Sequence, residues 1–242
     1  VGRELVRRVA GDFGIDNEMA EGPALALGAS ESTLLEMSGA YAGILNGGSS
    51  VTPYGVSELR LVADDVPLMG RSGGMGERVI RPQAAQQLVW MMEKVISGGT
   101  GQRAQIPSWQ AAGKSGTTSA AKDAWFIGFT PDLAVGVYVG YDTPRSMGRR
   151  ETGSSAASPI FVEFMQDALK DKPATPFRIP PSIRLIRINA KTGKAAMPGD
   201  RDVILEAFKL GTGPDTEADV VDGTYRGGGA RDRRDGDRAR VR

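Results

Sequence analysis

The sequence predicts an α/β protein of the α+β kind, an antiparallel sheet covered by helices, and two observations carry that prediction. Between residues 109 and 142 three strand-like runs follow one another with short polar connections, too short for crossover helices. On either side lie segments whose apolar residues recur at helical spacing and so present one face for the sheet to cover.

The strands come first because everything else packs around them. Ala124 to Thr130 and Leu133 to Asp142 are rich in aromatic and β-branched residues, and only Pro131 and Asp132 separate them, the spacing of a tight hairpin. The preceding strand carries Lys114, Ser115, Gly116 and Thr117 and has almost no large side chains. A strand so poor in packing groups is one that lets another backbone come close to its face or edge.

The helices follow from periodicity and punctuation. Leu5, Val6, Val9 and Phe13 form one face of a first helix over residues 1–13, which Gly14 ends. Ser32 or Thr33, with Glu36 in the first turn, marks the start of a second, running to Asn46 with Gly47 and Gly48 as its stop. Pro82 opens a third that runs to Ser97, with Ala85, Leu88, Val89, Met92 and Ile96 facing inward. A fourth, from Ser155 or Ser158 to about Lys170, places Ile160, Phe161, Phe164, Met165 and Leu169 on one face. Residues 51–66 hold strand-like pieces, and Gly70 to Gly76 reads as an exposed hairpin or loop.

Beyond residue 170 the composition changes. Residues 171–210 are proline-rich and form an extension packing on or near the domain, with strands at Ile183 to Ile188 and Val203 to Phe208. Residues 211–242 read as a charged, disordered tail: Asp215, Glu217, Asp219 and Asp222 are followed, from Arg226 on, by seven arginines against three aspartates. Neither block can bury a core.

Composition removes whole classes of chemistry. The chain has no cysteine and no histidine, which excludes disulfides, thiol nucleophiles, imidazole bases and ordinary zinc sites. A serine nucleophile here could not draw on a Ser-His-Asp triad and would need a lysine or carboxylate as base. With 30 Lys and Arg against 29 Asp and Glu, no global field favours nucleic acid. No apolar run approaches the roughly 18 residues of a membrane span.

The segment from Gly113 to Thr118 admits three readings. As a phosphate loop it fails, because Ser108 stands where the pattern needs glycine and a strand, not a helix, follows. It could be a polar turn at a sheet edge. It could equally be a substrate-capture strand, in which a lysine holds a carboxylate while backbone N–H groups along the edge polarise a carbonyl.

Gly113-Lys114-Ser115-Gly116-Thr117-Thr118, followed by Asp123-Ala124-Trp125-Phe126-Ile127-Gly128-Phe129-Thr130-Pro131-Asp132-Leu133, resembles the Lys-Thr/Ser-Gly-Thr motif and following hairpin of class A penicillin-binding proteins, bifunctional enzymes that polymerise and cross-link peptidoglycan. Further segments agree in the same order: Ala26-Leu27-Gly28, Ala40-Tyr41-Ala42 with Asn46-Gly47-Gly48, Gly98-Gly99-Thr100-Gly101, Glu151 to Ile160, and Pro176-Phe177-Arg178-Ile179-Pro180. The resemblance implies part of a penicillin-recognising serine transpeptidase, or β-lactamase-like, fold, with residues 1–170 as the C-terminal part of the transpeptidase domain. It implies partners in stem peptides ending in D-Ala-D-Ala, in β-lactams and in the N-terminal remainder of the same enzyme, no cofactor, and a place on the periplasmic side of a bacterial inner membrane.

By that resemblance Lys114 favours the terminal carboxylate, and Ser115, Thr117 and Thr118 line the same wall. Gly116 lets substrate lie against the strand, and the Thr117 N–H supplies half of an oxyanion hole. The family's Ser-x-x-Lys nucleophile and Ser-x-Asn motif should precede the part that aligns with Val1. No Ser-x-Asn occurs in the chain, and its one Ser-x-x-Lys, Ser119-Ala120-Ala121-Lys122, falls in a connection between strands. The chemistry wants serine and lysine on adjacent turns at a buried helix start, with the lysine desolvated. The chain alone is therefore expected to be inactive. Asp123, Trp125 and Tyr141 are expected to pack the strands and anchor the hairpin. The rival expectation is a self-contained, non-catalytic module that takes peptide by strand addition along the Lys114 strand.

Overall fold

The computed structural model describes residues 2–62, 65–71, 73–179 and 181–214, with the backbone of 220–221 and 224–225. The chain divides into two compact units, Val1–Pro180 and Pro181–Arg242. The stretch expected to form a charged tail lies largely outside the described residues.

The first unit opens with α1 (Arg3–Asp12) and a 3-10 turn at Pro23–Leu27, then α2 (Leu34–Leu45). Thr33 caps α2 through a reciprocal pair of bonds: its Oγ1 accepts from the Glu36 N–H at 3.1 Å, and the Glu36 carboxylate accepts from the Thr33 N–H at 2.8 Å. Gly47 and Gly48 end the helix at φ +76° and +90°, a conformation that disfavours any side chain. Two nested hairpins follow. β1 (Ser49–Val51) pairs with β4 (Met75–Arg78), and β2 (Glu58–Leu59) pairs with β3 (Met69–Gly70), so the glycine-rich segment expected as an exposed hairpin or loop contributes to both.

After α3 (Pro82–Gly98) come β5 (Ala112–Thr117), β6 (Asp123–Phe129) and β7 (Ala134–Gly140), an antiparallel sheet in the order β5-β6-β7. A five-residue π-helical turn, Gly153–Ala157, leads into α4 (Ser158–Ala168). Because side chains alternate along a strand, the sheet buries two different sets. Phe126 and Val137 point to the face covered by Phe161, Met165 and Leu169 from the α4 segment, with the Phe126 and Phe161 rings 4.8 Å apart. Ala112 and Phe129 point to the other face and meet Val89 and Met92 of α3 and Tyr41 of α2. Gly128 on β6 admits α4, since a Cβ there would lie 2.9 Å from the Phe161 ring.

Two expected apolar faces are only half covered. On α4, Phe161, Met165 and Leu169 are buried, whereas Ile160 and Phe164, one position back, are 48% and 54% exposed. One position is about 100° of helix, so the inward stripe is narrower than the apolar pattern. On α1, Phe13 is buried beside Gly43 of α2, while Leu5 and Val6 are 44% and 42% exposed. In the second unit β8 (Ile183–Asn189) and β9 (Val203–Lys209) form an antiparallel hairpin that buries Ile183, Ile186, Ile188 and Ala207.

Candidate functional site

The site is built on β5, which pairs with β6 and, among the described residues, with nothing on its other side. The register sets Lys114 opposite Ile127, Ser115 opposite Phe126, Gly116 opposite Trp125 and Thr117 opposite Ala124. Alternation therefore sends Lys114 to the α3 face and Ser115 and Thr117 to the α4 face.

The backbone direction follows from one bond past the strand. The Thr118 N–H donates to the Asp123 carbonyl at 3.2 Å, so Thr118 turns its peptide groups toward β6. Successive residues of an antiparallel strand alternate in this respect. Lys114 and Gly116 accordingly pair inward, and Ser115 and Thr117 turn N–H and C=O out along the open edge. That edge offers outward donors and acceptors beside an exposed ammonium group: Lys114 Nζ lies 2.6 Å from the Ser115 carbonyl oxygen, to which it donates.

Four hydroxyls lie on or beside this strand. Ser115 Oγ lies 3.3 Å from Thr100 Oγ1, which the Gly98-Gly99-Thr100-Gly101 bend after α3 brings to the strand. Thr117 Oγ1 accepts from the Gly153 N–H at 3.0 Å. Thr118 Oγ1 accepts from the Asp123 N–H at 2.8 Å and closes the β5–β6 connection. Thr100 and Gly153 belong to segments that carried the family resemblance, but nothing local in the sequence places either beside β5.

Ser119, Ala120 and Ala121 form a 3-10 turn in which Ala120 and Ala121 have φ of +62° and +49°, and Ser119 and Lys122 are both exposed. Beyond it, Asp123 Oδ1 accepts from the Tyr138 hydroxyl at 3.0 Å, and Trp125 meets Tyr138 edge-on at 5.0 Å. Arg145 stacks over the Tyr141 ring at 3.9 Å. The bond to Asp123, with smaller contributions from burial and from the charges of Asp123 and Asp142, raises the Tyr138 pKa above the ordinary phenol value. Among the described residues no three acidic side chains converge as a metal site, and no helix is long and apolar enough to cross a membrane.

Residues 7–166 match the family model described as the penicillin-binding protein transpeptidase domain. This chain belongs to that family. The penicillin-binding protein 1A of Rickettsia conorii is 38% identical over 219 residues, covering 82% of this chain and 27% of the relative. The penicillin-binding protein 1A of Pseudomonas aeruginosa is 40% identical over 152 residues, 62% of this chain and 18% of the relative. Among solved structures, penicillin-binding protein 1A from Haemophilus influenzae superposes with a TM-score of 0.76 at 29% identity, over 88% of this chain and 37% of that one. The PonA1 protein from Mycobacterium tuberculosis, in complex with penicillin V, gives 0.60 at 27% identity over 71% and 51%. The chain is thus a class A transpeptidase region with the penicillin-recognising fold, and it spans about a quarter of the length of the Rickettsia conorii relative.

Proposed function

We propose that this chain forms one wall of the transpeptidase cleft in a longer peptidoglycan-cross-linking enzyme that also binds β-lactams. The observation that carries this reading is the open edge of β5, where an exposed lysine, hydroxyls and outward backbone donors lie together. Lys114 attracts the terminal carboxylate of a stem peptide ending in D-Ala-D-Ala, or the carboxylate of a β-lactam. Ser115 and Thr117 offer hydroxyls to the same group, Gly116 leaves the strand bare for substrate, and Thr118 continues the wall. The outward Thr117 N–H polarises the scissile carbonyl as it becomes an oxyanion.

Nucleophile and base lie in the N-terminal remainder of the enzyme, on Ser-x-x-Lys, with Ser-x-Asn lining the opposite side. Ser119 and Lys122 do not substitute for them, because a turn with two left-handed alanines cannot stack the pair on adjacent helical turns or desolvate the lysine. The reaction is acyl transfer: the serine attacks the penultimate D-alanine carbonyl, terminal D-alanine leaves, and an amine of a second stem peptide takes the acyl group.

The experiment replaces the matching segment of the Pseudomonas aeruginosa relative with residues 7–166 of this chain. The chimera is expected to be acylated by benzylpenicillin, and Lys114→Ala within it to slow that acylation. A folded, acylating chimera indifferent to Lys114→Ala would sink the assignment of β5 as the carboxylate-binding wall.

A further inference from the structure

Gly153 stands directly over the point where Gly116 and Trp125 pair. A Cβ built on it would meet the Trp125 carbonyl oxygen, lie 2.6 Å from the Gly116 carbonyl oxygen and 3.1 Å from the Gly116 nitrogen. All three neighbours are backbone, so no side chain can move aside to make room. Gly153 therefore rests on the sheet itself, on the α4 face to which Thr117 points, and from there its N–H reaches Thr117 Oγ1.

A threonine hydroxyl has one proton to give and two lone pairs to receive with. The Gly153 N–H occupies one lone pair of Thr117, and among the described residues no acceptor takes the hydroxyl proton. The side chain is exposed, so that proton points to solvent in the free protein. We infer that Gly153 is a positioning residue for substrate: by holding the acceptor side of Thr117 Oγ1, it fixes this hydroxyl as a donor toward the substrate carboxylate. A carboxylate only accepts hydrogen bonds, so a hydroxyl already held in the donating sense needs no reorientation when substrate arrives. This rests on the reading of β5 as the carboxylate-binding wall.

The segment around Gly153 is held from two further sides. Ser158, fully buried, donates from Oγ to the Gly153 carbonyl oxygen at 3.2 Å. Thr152 and Ser155 cap each other, Thr152 Oγ1 accepting from the Ser155 N–H at 3.2 Å and Ser155 Oγ from the Thr152 N–H at 2.8 Å. Gly153 thus enters the helix from a fixed turn, and Ser158 gives a milder handle on it than a substitution that collides with the sheet.

Two measurements test the inference. In the 242-residue chain, Thr117→Val is expected to shift the Gly153 amide proton upfield and speed its hydrogen exchange by roughly tenfold, the loss of one hydrogen bond, while Thr117→Ser keeps both as they are. An unchanged Gly153 amide in Thr117→Val would overturn the inference at its base. In the full-length enzyme carrying this chain, Gly153→Ala and Ser158→Ala are expected to slow acylation by benzylpenicillin more than acylation by its methyl ester. Either effect should largely vanish in a Thr117→Val background, since coupled residues are non-additive. Equal losses for acid and ester, or full additivity with Thr117→Val, would show a merely structural role. If Gly153→Ala does not fold, Ser158→Ala decides by the same criteria. Lys114→Ala separates the two levels: without selectivity for the free carboxylate the β5 reading itself falls, whereas with it a non-selective Ser158→Ala defeats only the role of Gly153.

Discussion

The Lys114 side chain folds back along its own strand, its Nζ donating to the Ser115 carbonyl oxygen at 2.6 Å. That bond engages one of the three ammonium donors with an outward-facing carbonyl on the open edge of β5 and leaves the other two for a further acceptor. In the proposed reading, a substrate carboxylate at this edge would gain a charge-assisted partner in an ammonium group that one short bond already holds there.

In the full-length enzyme, Lys114→Ala is expected to remove about 2–4 kcal/mol of transition-state stabilisation for substrates bearing the terminal carboxylate, the range for one charge-assisted contact or oxyanion-type donor in a cleft. Lys114→Arg should recover only part, since a planar fork does not replace a compact ammonium charge. Second-order acylation rates measure this, and an alanine variant as fast as the parent would remove Lys114 from the carboxylate site.

This chain by itself is expected to form no stable acyl adduct with penicillin. Ser119 sits on an exposed turn, and Lys122 follows two residues of positive φ, so no desolvated amine stands beside the hydroxyl. Incubation with a fluorescent penicillin and intact-mass measurement test this. An adduct localised to Ser119 would overturn it.

Much of the fold was legible because local signals agreed with burial. Thr33 with Glu36, the glycines at 47 and 48, and the Pro131-Asp132 hairpin each announce an element whose end is fixed by its own backbone chemistry. The exposure of Leu5, Val6, Ile160 and Phe164 was not legible, because periodicity shows which residues share a face and not what covers it. Within the candidate site, the sparse strand that carries Lys114 to Thr117 was legible from residue types. Thr100 and Gly153 were not: one is reached across 15 residues and the other across 36, and a backbone N–H carries no side-chain signature.

The Thr33–Glu36 cap is expected to make α2 sensitive to acid. Bonds from the Thr33 backbone, first, and the Thr33 hydroxyl, next, hold the Glu36 pKa below its ordinary value, with the Asp16 N–H and Ser32 hydroxyl adding to them against burial. A depressed carboxylate pKa stabilises the fold fully above the unfolded-state value, and that contribution is lost as pH falls through the folded-state value. Glu36→Gln should therefore flatten the stability profile below about pH 4.5, near the ordinary glutamate value, while Thr33→Ala should cost about 1 kcal/mol at neutral pH. Urea midpoints at neutral and acidic pH check both; a Glu36→Gln variant with the parent's acid slope would refute the assignment.

On β6 and β7 the sign is reversed. Tyr138 donates to Asp123 Oδ1 at 3.0 Å, and ionising the phenol would both break that bond and set a negative oxygen against a carboxylate. The raised Tyr138 pKa means that this contribution to stability is present below the ordinary tyrosine value and is lost as pH rises through the folded-state value. Tyr41 is also raised, but by burial alone, and so serves as an internal control. Asp123→Asn leaves a neutral acceptor while removing the charge, so the Tyr138 titration should move down toward the ordinary phenol value and that of Tyr41 should stay in place. Residue-resolved NMR titration reads the two rings separately. If both move together, the shift arises from a general loosening of the fold and not from the Asp123 carboxylate; if neither moves, the bond does not set the Tyr138 pKa.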